Sequence, residues 1–193
     1  PSGWMSIVYK GDGGDATNRS FTFWLHQSGA IYFTAVPPDG QIILNSLAGS
    51  IQLYTWYHIA GVIDAVNHRM ELFINGNEIT STSYGSSIRT STLPLRMGSS
   101  QEGYSTFSGL IDEVCIWNIA RTQEEIQVTM NQKLRGTETG LVGYWNFDDG
   151  TADDLSVYGN DGTLQGDANI AESDLPLLEI IPTVTSKILL RLM

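Results

Sequence analysis

The chain has 193 residues, of which 41% are hydrophobic, and ten basic against twenty-one acidic side chains give it a net charge of -11. A chain of this length can bury roughly 70% of its unfolded surface, so one large domain is expected. The negative charge excludes nucleic acid and anionic membrane as favoured partners and suits cations or neutral, hydroxyl-rich ligands.

Short segments rich in β-branched and aromatic residues recur along the chain, separated by glycine, asparagine or serine. This pattern is typical of an all-β sandwich or jelly roll. In chain order the candidate strands are IVYK, SFTFWLHQ, AIYFTAV, QIILN, TWYHIAGVID, RMELFIN, EITSTSY, LPLRMG, GLIDEVCIWN and GLVGYWNF.

Two tight turns connect predicted strands. Asn75-Gly76 tolerates the positive φ angles that a two-residue hairpin requires, and Ser28-Gly29 predicts a second turn of this kind. In the strand before the first turn, alternation places Met70, Leu72 and Ile74 on one face. We therefore expect this strand to be half-buried.

One short helix is predicted near residues 122–133. Thr122 is followed three residues later by Glu125, which is the spacing of a capping box. Ile126 and Met130 then fall on one face of the helix, which is expected to end near Lys133.

Several of these segments together resemble a known family. GLIDEVCIWNIARTQEEI, preceded by WYHIAGVID, MELFINGNEI and LPLRMGS and followed by GLVGYWNFDDG, is similar to the laminin G-like, concanavalin A-type jelly-roll domains. Within that family the chain most resembles pentraxin-like bacterial modules. The resemblance implies a two-sheet antiparallel sandwich with one short helix near its edge. Ala60 stands where pentraxins carry a cysteine, and Cys115 is the only cysteine, so no disulfide is expected.

The resemblance also suggests domain limits. Residues 1–175 are expected to form the domain, with the family's first strands absent, because the chain begins almost inside the segment that matches the family. Residues 176–193 are interpreted as a C-terminal tail that adds an edge strand and covers the open sheet edge. Glu179, Pro182, Lys187 and Arg191 interrupt this apolar tail, so membrane insertion is not expected.

Asp112 and Glu113 are neighbours in a predicted strand and are the obvious candidates for a catalytic pair. Successive strand residues point to opposite faces, so the two carboxylates are not expected to converge. Glycanases of this fold place their acids at alternate positions, but the alternates of Asp112 here are the apolar Leu110 and Val114. Asp112 is instead interpreted as a buried carboxylate satisfied by backbone or by a cation such as Arg121.

A calcium site is expected in two loops. By resemblance to pentraxins, Asn18 falls at an asparagine ligand and Gln101 and Glu102 at a further pair of ligands, with Asp15 beside them. Carboxylate and amide oxygens are the ligands that calcium prefers. Tyr104, in the same loop as Glu102, is the aromatic residue expected to stack on a sugar ring. The predicted ligand-binding residues are therefore Asn18, Glu102 and Tyr104.

Two further groups receive structural interpretations. The acidic segment after GLVGYWNF is interpreted as a solvated turn rather than a second metal site, because it lacks the spacing of an EF-hand. Its polar residues are Asp148, Asp149, Asp153, Asp154, Asn160 and Asp161. Trp24, Trp56, Trp117 and Trp145 are placed in strands and interpreted as core residues.

The resemblance implies an extracellular or cell-surface recognition or adhesion module without catalytic activity, which binds a glycan or glycoprotein with the help of calcium. The alternative is a purely structural spacer domain of a larger secreted or surface protein. A glycan hydrolase is disfavoured by the carboxylate spacing. The sequence carries no signal for the oligomeric state.

Overall fold

The computed structural model describes residues 3–11, 19–38, 40–100 and 105–171, together with the backbone of residues 187–190. In chain order the elements are β1 (Trp4–Gly11), β2 (Arg19–His26), β3 (Ile31–Ala35), β4 (Ile42–Asn45), β5 (His58–Asp64), β6 (Arg69–Ile74), β7 (Asn77–Ser83), β8 (Arg96–Met97), β9 (Leu110–Asp112), β10 (Val114–Trp117), α1 (Gln123–Thr129), β11 (Leu141–Trp145) and β12 (Lys187–Leu190). The predicted all-β class and jelly-roll sandwich are confirmed.

The strands form two five-stranded sheets and a two-stranded ribbon. Sheet A has the order β4-β3-β2-β1-β8, with antiparallel neighbours throughout. Sheet B has the order β7-β6-β5-β12-β9, and β10 pairs with β11 in the ribbon. The main core lies between sheets A and B, where the rings of Phe23 and Phe33 stack with centroids 4.4 Å apart.

The C-terminal strand lies inside sheet B. β12 pairs with β5 on one side and β9 on the other, in parallel on both sides, whereas β5, β6 and β7 are antiparallel. An edge strand is predicted in this tail, but the described residues 187–190 have neighbours on both sides. The residues that precede them, 172–186, lie outside the described part of the chain.

The hairpin between β6 and β7 is confirmed. Asn75 and Gly76 have φ angles of 51° and 72°, as a tight turn with two left-handed residues requires. The predicted inner face of β6 is buried, with Met70, Leu72 and Ile74 at most 8% exposed, and Arg69 on the other face is exposed. Phe73 is the exception on the outer face, at 2% exposed, because Ile126 of helix α1 covers it.

Helix α1 begins as predicted and ends earlier than predicted. Thr122 Oγ1 accepts a hydrogen bond from Glu125 N, and Glu125 Oε2 accepts one from Thr122 N, which completes the capping box. The helix ends at Thr129 rather than near Lys133. Ile126 is fully buried against Ala60, Val62 and Phe73, so α1 packs on the outer face of sheet B. Among the described residues, no helix is long and apolar enough to cross a lipid bilayer.

Candidate functional site

The residues predicted to bind calcium and sugar lie outside the described part of the chain: Asp15, Asn18, Gln101, Glu102 and Tyr104. Their flanking residues are described. The first loop leaves β1 at Gly11, whereas Ser105, at the end of the second, accepts a hydrogen bond from Ser6 N at 2.7 Å. Gly11 and Ser6 are separated by roughly 16 Å along β1, at about 3.3 Å per residue. A single ion held by both loops requires them to bridge that separation.

Contrary to the prediction from the sequence, Asp112 and Glu113 do not lie on one continuous strand. Glu113 has a φ of 53°, a left-handed conformation that is strained for a residue with a side chain, and it separates β9 from β10. The two strands belong to different sheets. The prediction that strand alternation directs the two side chains to opposite faces therefore rests on a geometry that the chain does not adopt.

Both carboxylates act as hydrogen-bond acceptors in the interior. Asp112 is 4% exposed and its Oδ1 accepts from Glu113 N at 2.8 Å, so the backbone contact expected for this side chain is present. Arg121, the cation suggested as its partner, lies over the ring of Trp117 and pairs with Glu125 at 3.5 Å. The Asp112 carboxylate therefore accepts a hydrogen bond from the backbone at the point where β9 ends.

Glu113 holds the ribbon together. Its Oε2 accepts a hydrogen bond from Tyr144 OH at 2.9 Å, and its backbone carbonyl accepts one from Cys115 Sγ. Burial and the neighbouring Glu113 charge raise the pKa of Tyr144 far above its ordinary value, so this hydroxyl stays protonated and donates. Cys115 lies in β10 and is fully buried.

The outer face of sheet A carries an aromatic surface that was not predicted from the sequence. Phe21, Phe23 and Leu25 of β2 contact the main core, so the alternate residues Thr22, Trp24 and His26 face away from it. The strand register places further side chains opposite these, on the same face: Trp4, Ser6, Tyr9, Tyr32 and Thr34. The interpretation of Trp24 as a core residue is therefore wrong, and Trp56 lies outside the strands, whereas Trp117 and Trp145 are buried.

The first part of this aromatic face is a cluster around Trp4. Its ring centroid lies 4.6 Å from that of His26 and 4.7 Å from that of Tyr32, both at tilted or edge angles. Trp4 is 37% exposed and the other two are half-buried. Rings supported from the side in this way keep an accessible, rigid apolar surface, which suits stacking against a sugar ring.

The second part is formed by the half-buried Trp24 and Arg19, which pack against the ring of Tyr9, itself only 2% exposed. The rings of Tyr9 and Trp24 meet edge to face at 6.0 Å, and the Arg19 guanidinium carbon lies 5.6 Å and 5.4 Å from their centroids. Trp24 Nε1 donates to Thr22 Oγ1 at 2.6 Å, which fixes the indole. Since Trp24 is the cross-strand partner of Tyr32, the two parts form one row of rings across the sheet.

Polar groups accompany the rings. Ser6, the cross-strand partner of Trp24, is fully buried, and neither its hydroxyl oxygen nor Arg19 Nε has a hydrogen-bond partner among the described residues. Buried polar atoms normally have partners, so each unsatisfied atom needs an explanation, of which a bound water or ion is one. Aromatic rings beside unsatisfied polar atoms make this face the strongest candidate for a ligand site among the described residues.

The acidic segment after β11 is not simply a solvated turn. Asp154 is 7% exposed, and its carboxylate accepts hydrogen bonds from Tyr144 N, from Ser156 N and Oγ and from Asn160 N and Nδ2, at 2.8–3.1 Å. Burial alone would raise the pKa of Asp154, but these donors outweigh it and hold the pKa below its ordinary value. The described residues contain no group of three metal-ligating side chains.

The sequence and the fold were compared with known proteins. A family profile described as the Concanavalin A-like lectin/glucanases superfamily matches residues 1–127. No curated protein matches the sequence. Among solved structures, a candidate carbohydrate-binding protein from Bacteroides ovatus ATCC 8483 superposes with a TM-score of 0.65 at 20% identity, over 89% of this chain and 52% of that one. The chain therefore spans about half the length of that protein.

Two further solved structures show a weaker likeness. The CBM40 of the Ruminococcus gnavus IT-sialidase superposes with a TM-score of 0.40 at 15% identity, over 54% of this chain and 60% of that one. The same module bound to α2,6 sialyllactose gives a TM-score of 0.41 at 15% identity, over 55% and 62%. Because the profile spans most of the sequence and the sheets form the expected jelly roll, the chain belongs to the laminin G-like group of the Concanavalin A-like lectin/glucanases superfamily.

Proposed function

We propose that the chain is a non-catalytic glycan-binding module that acts outside the cell or at its surface, within a domain formed by residues 1–175. The observation that carries this proposal is the row of aromatic side chains on the outer face of sheet A, with the partly exposed Trp4 packed against Tyr32. A pyranose ring presents an apolar face that can stack on such rings, while its hydroxyls engage polar groups at their edge.

Two comparisons support a glycan as the ligand. The chain belongs to a superfamily of lectins and glucanases, and the Bacteroides ovatus protein that shares its fold is described as a candidate carbohydrate-binding protein. The absence of catalysis is proposed because Asp112 and Glu113 are engaged as interior acceptors, at 2.8 Å and 2.9 Å from their donors. A retaining hydrolase needs two carboxyl groups that face one substrate atom from about 5 Å apart.

Replacing Trp4 with alanine tests the ligand site. We expect the dissociation constant for the best ligand on a glycan array to rise about fivefold, because a stacked ring contributes on the order of 1 kcal/mol. Isothermal titration calorimetry measures the change. Tyr158→Ala is the matched control, since Tyr158 is an aromatic residue that is 59% exposed in the loop after β11. If wild-type protein binds no glycan on the array, the spacer alternative replaces this proposal.

We also propose that calcium assists binding through Asp15, Asn18, Gln101 and Glu102. The acidic composition and the likeness of these loops to the ligand loops of pentraxins support this part of the proposal. At free calcium 100 times its dissociation constant, the free energy of unfolding is expected to rise by about 2.7 kcal/mol. Thermal melting with millimolar calcium and then with chelator measures the shift, and Glu102→Gln is expected to remove it. An unmoved midpoint in wild-type protein contradicts calcium binding.

A further inference from the structure

We infer that the aromatic face of sheet A selects sugars that carry a carboxylate, and that Arg19 is the residue that selects them. The inference rests on the proposed function, because it names the class of glycan that the same face takes. Arg19 is the first residue of β2, and its guanidinium lies against the rings of Tyr9 and Trp24. These cation–π contacts hold a full positive charge at one end of the row of rings.

The charge on Arg19 is not neutralised within the described structure. Three of the other basic residues have carboxylate partners: Arg69 pairs with Glu71 and Glu78, Arg121 with Glu125, and Lys133 with Asp148. Arg19 belongs to none of these ion pairs, and its buried Nε has no acceptor among the described residues. A guanidinium carries five N–H donors in a rigid fork, so Arg19 keeps unused donor capacity beside the proposed sugar-binding rings.

The guanidinium group of Arg19 favours a carboxylate as its ligand. Arginine binds the two oxygens of a carboxylate with paired, charge-assisted hydrogen bonds, which are about twice as strong as neutral ones. A neutral sugar at the same place satisfies the donors less well and leaves the positive charge unpaired. The net charge of -11 opposes any anion at long range. However, charges more than about 8 Å apart are screened at physiological ionic strength, so the local guanidinium decides the preference.

The row of aromatic rings indicates how an oligosaccharide would lie on sheet A. From Trp4 and Tyr32 the row continues through Trp24, the cross-strand partner of Tyr32, to Tyr9 and Arg19. An oligosaccharide that lies along this row stacks one ring near Trp4 and brings another to the guanidinium. In this arrangement Trp4 contributes to the binding of every glycan, whereas Arg19 contributes to the binding of acidic ones.

Matched ligand pairs test the inference. Uronic acid oligosaccharides and sialyl oligosaccharides are each compared, by titration calorimetry, with the same molecule after its carboxyl group has been reduced to an alcohol. We expect at least one acidic form to bind about tenfold more tightly than its reduced partner, as loss of a charge-assisted hydrogen bond implies. Arg19→Gln is expected to lower this ratio to near one, because the acidic form loses its paired hydrogen bonds to the guanidinium.

Two further measurements make the test specific. Arg135→Gln removes the same charge from an exposed position in the loop between α1 and β11, and it is expected to leave the ratio intact. Sulfated oligosaccharides separate a planar carboxylate from a general anion, and we expect weaker binding of the sulfated form. If Arg19→Gln does not fold, the ligand pairs with wild-type protein still test the preference.

The outcomes separate this inference from the proposed function. Tight, Trp4-dependent binding of neutral glycans without any preference for the acidic partner overturns the role of Arg19 and leaves the glycan-binding proposal intact. Equal, Arg19-dependent binding of sulfated and carboxylated forms overturns the assignment of a carboxylate. Failure of every glycan to bind, acidic or reduced, overturns the proposed function and the inference with it.

Discussion

Replacing Gly136 with alanine is expected to lower the free energy of unfolding by about 3–5 kcal/mol, since overpacking and left-handed strain add. Gly136 is buried in the loop between α1 and β11 and has a φ of 84°. A Cβ atom placed on it would lie 1.8 Å from the carbonyl oxygen of Leu155. This neighbour is backbone, so the clash cannot be relieved by turning a side chain.

Gly150→Ala is the matched control for this substitution. Gly150 has a similar φ of 79°, but an added Cβ meets no atom within 4 Å. Its alanine variant is expected to lose only about 1–2 kcal/mol, the cost of left-handed backbone alone. Urea unfolding of the two variants therefore separates backbone strain from the close approach of Gly136 to Leu155. Equal losses in the two variants would mean that the loop moves aside and that the contact is unimportant.

The sequence predicts those parts of the fold that depend on residues close together in the chain. The Asn75-Gly76 turn and the capping box of Thr122 and Glu125 depend on side chains within a few positions of one another, and both are present. The break at Glu113 is different, because its φ of 53° is imposed by the separation of β9 from β10. No local residue type signals this break, so the sequence predicts one continuous strand. The parallel pairing of β12 is equally non-local.

The candidate site escaped prediction because β2 carries large residues on both faces. Phe21, Phe23 and Leu25 alternate with Thr22, Trp24 and His26, and both sets contain aromatic rings. Hydrophobicity alone therefore cannot show which set faces the core. The register settles the choice, because it places Trp4, Tyr9 and Tyr32 opposite the second set. A signal was present: Thr22 and His26 are polar, so the face that they share with Trp24 is the less apolar one.

The two outer faces of the sandwich differ in how far they are covered by other parts of the chain. Sheet B is covered by α1, whose Ile126 closes a second core over Phe73. On the corresponding side of sheet A, Trp4 is 37% exposed and Trp24 and Tyr32 are half-buried, whereas Tyr9 and Thr22 are buried. Burying the exposed part of these rings would add stability, so under the proposed function they stay accessible for a ligand.

Replacing Asp154 with asparagine is expected to lower the free energy of unfolding by about 2–4 kcal/mol at pH 7, because hydrogen bonds to a buried charge are lost. One carboxylate oxygen accepts from Tyr144 N and Ser156 N, and the other accepts from Ser156 and Asn160. In asparagine an NH2 group, which donates hydrogen bonds, replaces one carboxylate oxygen. Whichever way the amide is turned, this NH2 group meets N–H or O–H donors and cannot accept from them. Asp153→Asn, an exposed neighbour in the same loop, is the control and is expected to change the stability little.

The difference between wild type and Asp154→Asn is expected to depend on pH. Because the folded state holds the pKa of Asp154 below its ordinary value of 3.8, the unfolded chain binds more protons between the two pKa values. The contribution of Asp154 is therefore fully present above the unfolded pKa and is lost as the pH falls through the folded pKa. Urea unfolding from pH 7 down to about pH 3 measures the gap between the two proteins, and the comparison cancels the other acids of the chain. A gap that stays constant over this range would show that Asp154 shapes the loop by packing and not by its charge.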